Sequence, residues 1–230
     1  MLNFNNVAER QVVACSCFKE RRRIMVMARR VVPSHVGFIP DGNRRWAASQ
    51  GLLKQAGYQA GIEPGLALYD LCKVRGIPEV SVYGFTRDNT KRPSVQIDAF
   101  RLACVSFARE IVRRGAALLV VGDDRSDQFP DELRAFRTRK GSGIKVNFLV
   151  NYHWEWDLAG LQQGQIRSQD VSRLDLIVRW GGGRRLSGFL PVQSVYADFY
   201  VVDQHWPDFQ PEHFDDALRW FKEQDRTLGG

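Results

Sequence analysis

His35-Val36-Gly37-Phe38-Ile39-Pro40-Asp41-Gly42-Asn43-Arg44-Arg45-Trp46 is the stretch on which the reading of this chain turns. Val36 to Ile39 form a short, wholly apolar run of strand length, stopped by Pro40-Asp41-Gly42, which reads as a buried strand leaving its sheet towards a helix. Outward from it, strand-length runs alternate with helical patterns. Residues 57–75 place Leu66, Leu68, Tyr69 and Leu71-Cys72 on one helical face, and Gly76 closes it. Val80 to Phe85 make the next strand. Pro93 opens a second helix carrying Ile97, Phe100, Leu102, Val105, Phe107 and Ile111, ended by Gly115. Further strands are expected at Ala117–Val121, Ile144–Val150 and Leu174–Val178. The charged segment 123–142 has room for one short helix, 151–173 reads as partly helical, and 211–224 as a closing helix on Phe214, Ala217, Leu218 and Phe221. Strands alternating with helices predict an α/β fold: a mostly parallel sheet surrounded by helices.

With 230 residues the chain has the length of one sizeable domain. Its domain is expected over 33–230, behind a basic segment, 1–32, that reads as an arm or a solvated tail. Hydrophobic residues make up 44% and aromatics 11%, enough for a real core. No run approaches the roughly 20 apolar residues of a membrane helix, so no stable membrane insertion is expected. The N-terminus also lacks the order of a secretion signal. Cys72 and Cys104 sit in apolar helical stretches as small core residues, and Cys15 and Cys17 have no zinc spacing; a reduced, cytoplasmic setting follows. The net charge of +7 raises nucleic acid as a partner. Much of the excess, however, lies in Arg21, Arg22, Arg23, Arg29 and Arg30, and no nucleic-acid fingerprint is present.

Ligands of open parallel sheets bind beyond the carboxyl ends of the strands. After the first strand come Asp41, Gly42, Asn43, Arg44 and Arg45. Gly42 lets the backbone approach an anion and arginine grips phosphate oxygens in bidentate fashion. Asp41 among these cations makes sense as a ligand for Mg²⁺ bridging to a diphosphate. An Asp-Gly turn capped by surface arginines is the plain alternative. Thr86-Arg87-Asp88-Asn89-Thr90-Lys91-Arg92 gathers donors between the next strand and helix, as a polar capping loop also would. Arg179-Trp180-Gly181-Gly182-Gly183-Arg184-Arg185-Leu186-Ser187-Gly188 suits an anion cradle, or a flexible glycine loop. Three such loops after three strands favour one shared anion pocket. His153 beside Trp154 and Trp156 reads as a packed aromatic cluster, and Gly122-Asp123-Asp124 as an acidic turn.

HVGFIPDGNRRWA, YGFTRDNTKRP and DLIVRWGGGRRLSGFLPVQSVYADFYVVDQHWPDF resemble, in this order, the cis-prenyltransferase (undecaprenyl-diphosphate-synthase-like) family from about His35 to the last helix. The resemblance implies an Mg²⁺-dependent homodimeric transferase acting on allylic isoprenoid diphosphates, with an apolar tunnel for the tail. It would make Asp41 the magnesium ligand at the allylic diphosphate, bound by Gly42, Asn43, Arg44 and Arg45 beside Trp46, with Arg92 completing the charge. Thr86 and Asn89 fall near the reacting carbons, Arg179, Arg185 and Ser187 at the second diphosphate, and Asp198 where a second metal-assisting carboxylate stands. Leu66, Tyr69, Phe100 and Phe107 are candidates for the tunnel floor.

Departures from the family pattern gather at the second substrate. Tyr58 stands where the pattern has histidine, Trp180 for threonine, Gly183 for glutamate and Gly188 for asparagine, with Pro191 and the Asp225-Arg226 ending. These are similar to the lavandulyl-type branch (cyclolavandulyl and isosesquilavandulyl diphosphate synthases), which joins two allylic diphosphates head to middle. The implied reaction couples dimethylallyl diphosphate with dimethylallyl or geranyl diphosphate, Trp180 reshaping the second pocket. The alternative is ordinary cis elongation with isopentenyl diphosphate.

Overall fold

The computed structural model describes residues 32–224. The segment expected over 1–32 lies outside them except for Val32, as do Cys15, Cys17 and the Asp225-Arg226 ending. Among the described residues six strands form one sheet: β1 (His35–Ile39), β2 (Glu79–Tyr83), β3 (Ala117–Val121), β4 (Lys145–Leu149), β5 (Leu176–Arg179) and β6 (Asp198–Val201). They lie in the order β3-β4-β2-β1-β5-β6, and every pairing is parallel. β1, β3 and β5 are buried along their whole length, as parallel strands covered on both faces must be.

The helices are α1 (Asn43–Ser49), α2 (Ala56–Ala60), α3 (Ile62–Arg75), α4 (Ser94–Arg113), α5 (Trp154–Leu158) and α6 (Pro211–Glu223). Single 3-10 turns fill parts of 87–91, 131–136, 159–163 and 206–208. The one helix expected over 57–75 is two. The break is at Gly61, whose carbonyl accepts from Trp206 Nε1 at 2.9 Å, and where an added Cβ would stand 2.6 Å from Asn43 Oδ1. The strand β6 is not among those expected, although Phe199, Tyr200 and Val201 favour strands; it is short, lies at the sheet edge and opens on an aspartate, a residue that strands disfavour.

Alternation along the strands divides the core. Ile39, Tyr83, Leu149 and Ile177 pack with Tyr152, Trp156, Leu174, Phe189 and Leu190. Phe38 meets Phe214 and Trp180 at centroid distances of 5.4 and 6.2 Å. Val80, Val82 and Val146 share an apolar space with Leu68 and Tyr69 of α3 and Phe107 of α4. Cys72 and Cys104 are buried free thiols in this core.

A polar network is buried near the amino ends of the central strands. Glu79 accepts from Asn147 Nδ2 and Ser172 Oγ, both at 2.8 Å, and His35 Nε2 lies 2.8 Å from Ser81 Oγ. Burial lowers the His35 pKa below its ordinary 6.5, against the opposing pull of the Glu79 charge. Burial would raise Glu79, but the His35 charge and the Asn147 and Ser172 hydrogen bonds outweigh it and hold the carboxyl below 4.5. Both groups therefore bind protons more weakly folded than unfolded, so their contribution is present above the unfolded values and is lost as pH falls. Urea midpoints should stay level from pH 8 to about 6.5, then fall, and fall further below about 4.5. H35Q should flatten the first decline and, by removing the charge that helps hold Glu79 low, shrink the second.

Candidate active site

Parallel strands put their carboxyl ends, and the loops that follow, at one edge of the sheet. The register places Ile39 of β1 beside Arg179 of β5, which brings the Asp41 loop against the glycine loop that begins at Gly181. Gly42 has φ +101°, a conformation that glycine tolerates and other residues rarely do, and its N–H donates to Asp41 Oδ1 at 2.6 Å. Arg179 Nη2 donates to Asp41 Oδ2 at 2.8 Å. Arg45 Nη2 donates to the Gly181 carbonyl at 2.9 Å and stands 3.5 Å from Asp41 Oδ1.

Around this junction opens a cleft of about 790 Å³. Its lining includes Asp41, Gly42, Asn43, Arg44, Arg45, Tyr58, Thr86, Asn89, Arg92, Arg179, Gly183, Arg185 and Ser187. Six cationic side chains face two carboxylates, Asp41 and Asp88, and Asp88 is taken by Lys91 at 2.7 Å. The excess of positive charge suits a ligand carrying more than one phosphate. Burial would raise the Asp41 carboxyl; the hydrogen bond and charge of Arg179, with the Gly42 N–H and Arg45, more than offset it and hold Asp41 below the ordinary carboxylate range. It is ionised at neutral pH.

Each polar group is set by its element. Asn89 Oδ1 accepts from the Thr86 N–H at 3.0 Å, fixing the turn after β2. Arg92 Nη1 donates to the Tyr58 hydroxyl at 2.8 Å. Tyr58 is stacked on Phe100 at 4.4 Å with 1° between the planes, and Arg92 lies 5.8 Å from each ring centroid. Arg179 Nη1 donates to Ser187 Oγ at 3.0 Å and to the Arg185 carbonyl. Ser187 has a left-handed φ of 52°, unusual for a side chain with Cβ, and its carbonyl accepts from Tyr83 at 2.9 Å. Burial raises the Tyr83 phenol so that it remains a donor.

Tyr58, Tyr83 and Phe100 also line a smaller apolar cavity of about 70 Å³ under α3 and α4, with Ala103, Cys104 and Phe148. Phe107, Gly65 and Trp206 border both this cavity and a further apolar space of about 20 Å³. A charged head in the cleft and a hydrocarbon tail beneath the helices is the ligand shape that this arrangement accepts.

Residues 39–229 match the family described as "Putative undecaprenyl diphosphate synthase". The chain belongs to this family of prenyltransferases. Similar relatives include the ditrans,polycis-undecaprenyl-diphosphate synthase ((2E,6E)-farnesyl-diphosphate specific) of Pectobacterium atrosepticum, 30% identical over 86% of this chain and 90% of that protein. The enzyme of the same description from Escherichia coli K12 is also 30% identical, over 85% and 89%. Among solved structures, lavandulyl diphosphate synthase from Lavandula x intermedia, in complex with dimethylallyl diphosphate, superposes with a TM-score of 0.73 at 24% identity. That match covers 86% of this chain and 98% of the other and establishes the shared fold.

Three expected site residues of this prenyltransferase stand elsewhere. Trp180 follows Arg179 on a strand end, so its side chain turns to the opposite face. There it is fully buried, 4.8 Å from Trp206 and 5.8 Å from Phe209, and it does not shape the cleft. Trp46, half-buried on α1, is not part of the cleft lining and donates to Asp208 Oδ1 at 2.8 Å. Asp198 pairs with Leu176 while Val201 pairs with Arg179. It therefore sits three residues, about 10 Å, from the ligand-facing edge and cannot share an ion with Asp41 of the same chain. Lys54, Tyr83 and Ile39 line the cleft without having been expected there. Lys54 follows a glycine turn with no phosphate-binding pattern around it, whereas Tyr83 was legible as the last side chain of its strand.

Among the described residues no cluster of three or more histidine, cysteine or acidic side chains exists to cage a metal. Asp41, ionised and facing a cationic cleft, fits Mg²⁺, which takes one or two carboxylates and completes its shell with water and phosphate oxygens.

Of the four floor candidates, Tyr69 borders the inner space, Phe100 the outer cavity and the cleft, Leu66 neither apolar space, and Phe107 both. Phe107→Ala should merge the two spaces, cost about 3–5 kcal/mol in urea unfolding, and shift the products seen by mass spectrometry towards longer tails. The stability loss with an unchanged product distribution would take the inner space off the tail's path.

Proposed function

We propose that this prenyltransferase condenses two allylic isoprenoid diphosphates head to middle, giving a short branched prenyl diphosphate. The observation that carries the reading is the rebuilt second corner of the cleft. Gly183 contributes no carboxylate there, and Arg179, the Arg185 loop and Ser187 form a second cationic corner that adjoins Asp41 through Arg179. Tyr58 rather than histidine covers the entrance to the apolar cavity. The lavandulyl diphosphate synthase neighbour, in complex with dimethylallyl diphosphate, supports the same substrate class.

In this reading the donor's diphosphate lies among Gly42, Arg44, Arg45 and Arg92, and the acceptor's among Arg179, Arg185 and Ser187. Thr86 and Asn89 border the reacting carbons. Bound Mg²⁺, held by Asp41, would supply Lewis-acid stabilisation of charge developing on the donor's leaving oxygens. Fixed guanidiniums stabilise the same charge without reorganising as the allylic C–O bond breaks. The acceptor's C2=C3 double bond attacks C1 of the donor, forming the new carbon–carbon bond and leaving a cation at the acceptor's C3. A neighbouring carbon loses a proton to the released diphosphate, which closes the electron balance. Tyr58, Tyr83 and Phe100 keep water from the cationic carbons.

A second reading, cis elongation with isopentenyl diphosphate, is favoured by the undecaprenyl-diphosphate synthases among the relatives, such as those of Pectobacterium atrosepticum and Escherichia coli K12. Against long products stands the small apolar space behind the cleft, divided at Phe107. We further propose that the enzyme works as a homodimer, with no nucleic-acid partner, in the cytoplasm.

The test is a product assay. Protein and Mg²⁺ receive dimethylallyl diphosphate alone, then with geranyl diphosphate, then with isopentenyl diphosphate, and products are identified by NMR and mass spectrometry. Branched products without isopentenyl diphosphate, abolished by D41N, are expected. Linear cis products formed only when isopentenyl diphosphate is present would replace the first reading with the second.

A further inference from the structure

Of the three consecutive glycines after β5, two are demanded by the backbone: Gly181 has φ +82° and Gly182 +72°. Gly183 has no left-handed φ, so φ does not demand glycine there. What it lacks is room. A Cβ at 183 would stand 2.6 Å from Arg179 Nε and 2.8 Å from both Cζ and Nη2, contacts that real Cβ atoms do not make. The guanidinium lies directly on the space that a side chain would fill. Its own side chain is only 4% exposed, and its Nε is buried with no hydrogen-bond partner.

From that seat Arg179 reaches two ways. Nη2 serves Asp41 Oδ2, while Nη1 serves Ser187 Oγ and the Arg185 carbonyl. We infer that Gly183 is a positioning residue whose missing side chain lets Arg179 act as one cation shared between the Asp41 corner and the second anion corner. With both corners empty of ligand, Arg179 neutralises Asp41. A diphosphate at the second corner draws on the same guanidinium, loosens its hold on Asp41, and so frees that carboxylate for a divalent cation. By reciprocity, a cation on Asp41 releases Arg179 to the second diphosphate, so occupancy of each corner favours the other. The inference rests on the proposed assignment of the Arg179–Ser187 corner to the second diphosphate.

The experiment uses no isoprenoid, so its failure is distinct from failure of the coupling reaction. Full-length wild type, G183A, R179Q and R179Q/G183A are titrated separately with Mn²⁺ alone, followed by electron paramagnetic resonance, and with inorganic pyrophosphate alone in chelator, followed by calorimetry. In G183A the displaced guanidinium should leave Asp41, so Mn²⁺ binding tightens about tenfold. One pyrophosphate site should weaken by a similar factor while the other is unmoved. R179Q should show the same opposed changes, and adding G183A to it should change neither. Both affinities unchanged in G183A, both moving in the same direction, or a further effect of G183A on the R179Q background would overturn the inference. Should G183A not fold, recovery of folding in R179A/G183A supports it, because Nε, Cζ and Nη2 are then all gone. A double variant as unfolded as G183A overturns it.

Discussion

Arg179 and Asp41 meet because β1 and β5 run parallel with Ile39 opposite Arg179. Neither residue is near the other in sequence, and only that register sets the loop after one strand against the last side chain of its neighbour. Much of the cleft hangs on this contact. It orients Asp41 together with the Gly42 N–H, lets Arg45 reach the Gly181 carbonyl, and holds Ser187, whose left-handed backbone is also gripped by Tyr83. A slip of one residue between β1 and β5 would send Arg179 to the far face and dismantle all of it.

The sheet keeps two kinds of polarity apart. Near the amino ends of β1, β2 and β4, Glu79, His35, Ser81 and Asn147 satisfy one another in the interior. At the carboxyl ends, cations outnumber carboxylates and face outward into a volume that water or ligand must fill. Paired buried groups give rigidity, whereas an unbalanced set of charges binds anions because nothing inside the protein can satisfy it. The protein therefore carries its spare charge at the edge where the loops can receive a ligand.

Much of this was legible in the sequence. The apolar runs at 36–39, 80–85 and 174–178 announce strands because parallel strands buried on both faces tolerate few polar residues, and the loops after them carry the arginines and glycines in order. What the sequence hid has physical causes. Residues Asp198–Val201 form a short, half-exposed edge strand with no alternation between buried and exposed positions. Trp180 reads as part of the glycine loop, yet alternation at the strand end turns it into the core. Asp198 stands in a motif shared with the family, and only strand pairing reveals how far along the sheet it lies from Asp41. The space that Gly183 leaves for Arg179 is a three-dimensional fact about a residue four positions away, and no spacing rule records it.

The stacked pair Tyr58 and Phe100 stands where the cationic cleft meets the apolar cavity. A tail housed beneath α3 and α4 has to withdraw past these rings and across a polar surface before its head can leave. Each methylene so withdrawn costs about 0.8 kcal/mol in lost burial, which lengthens the residence time by roughly fourfold per carbon if the cost falls wholly on the exit rate. Tail length then becomes a clock: short chains leave almost as soon as they are made, while longer ones stay on and block the cleft to the next pair of substrates.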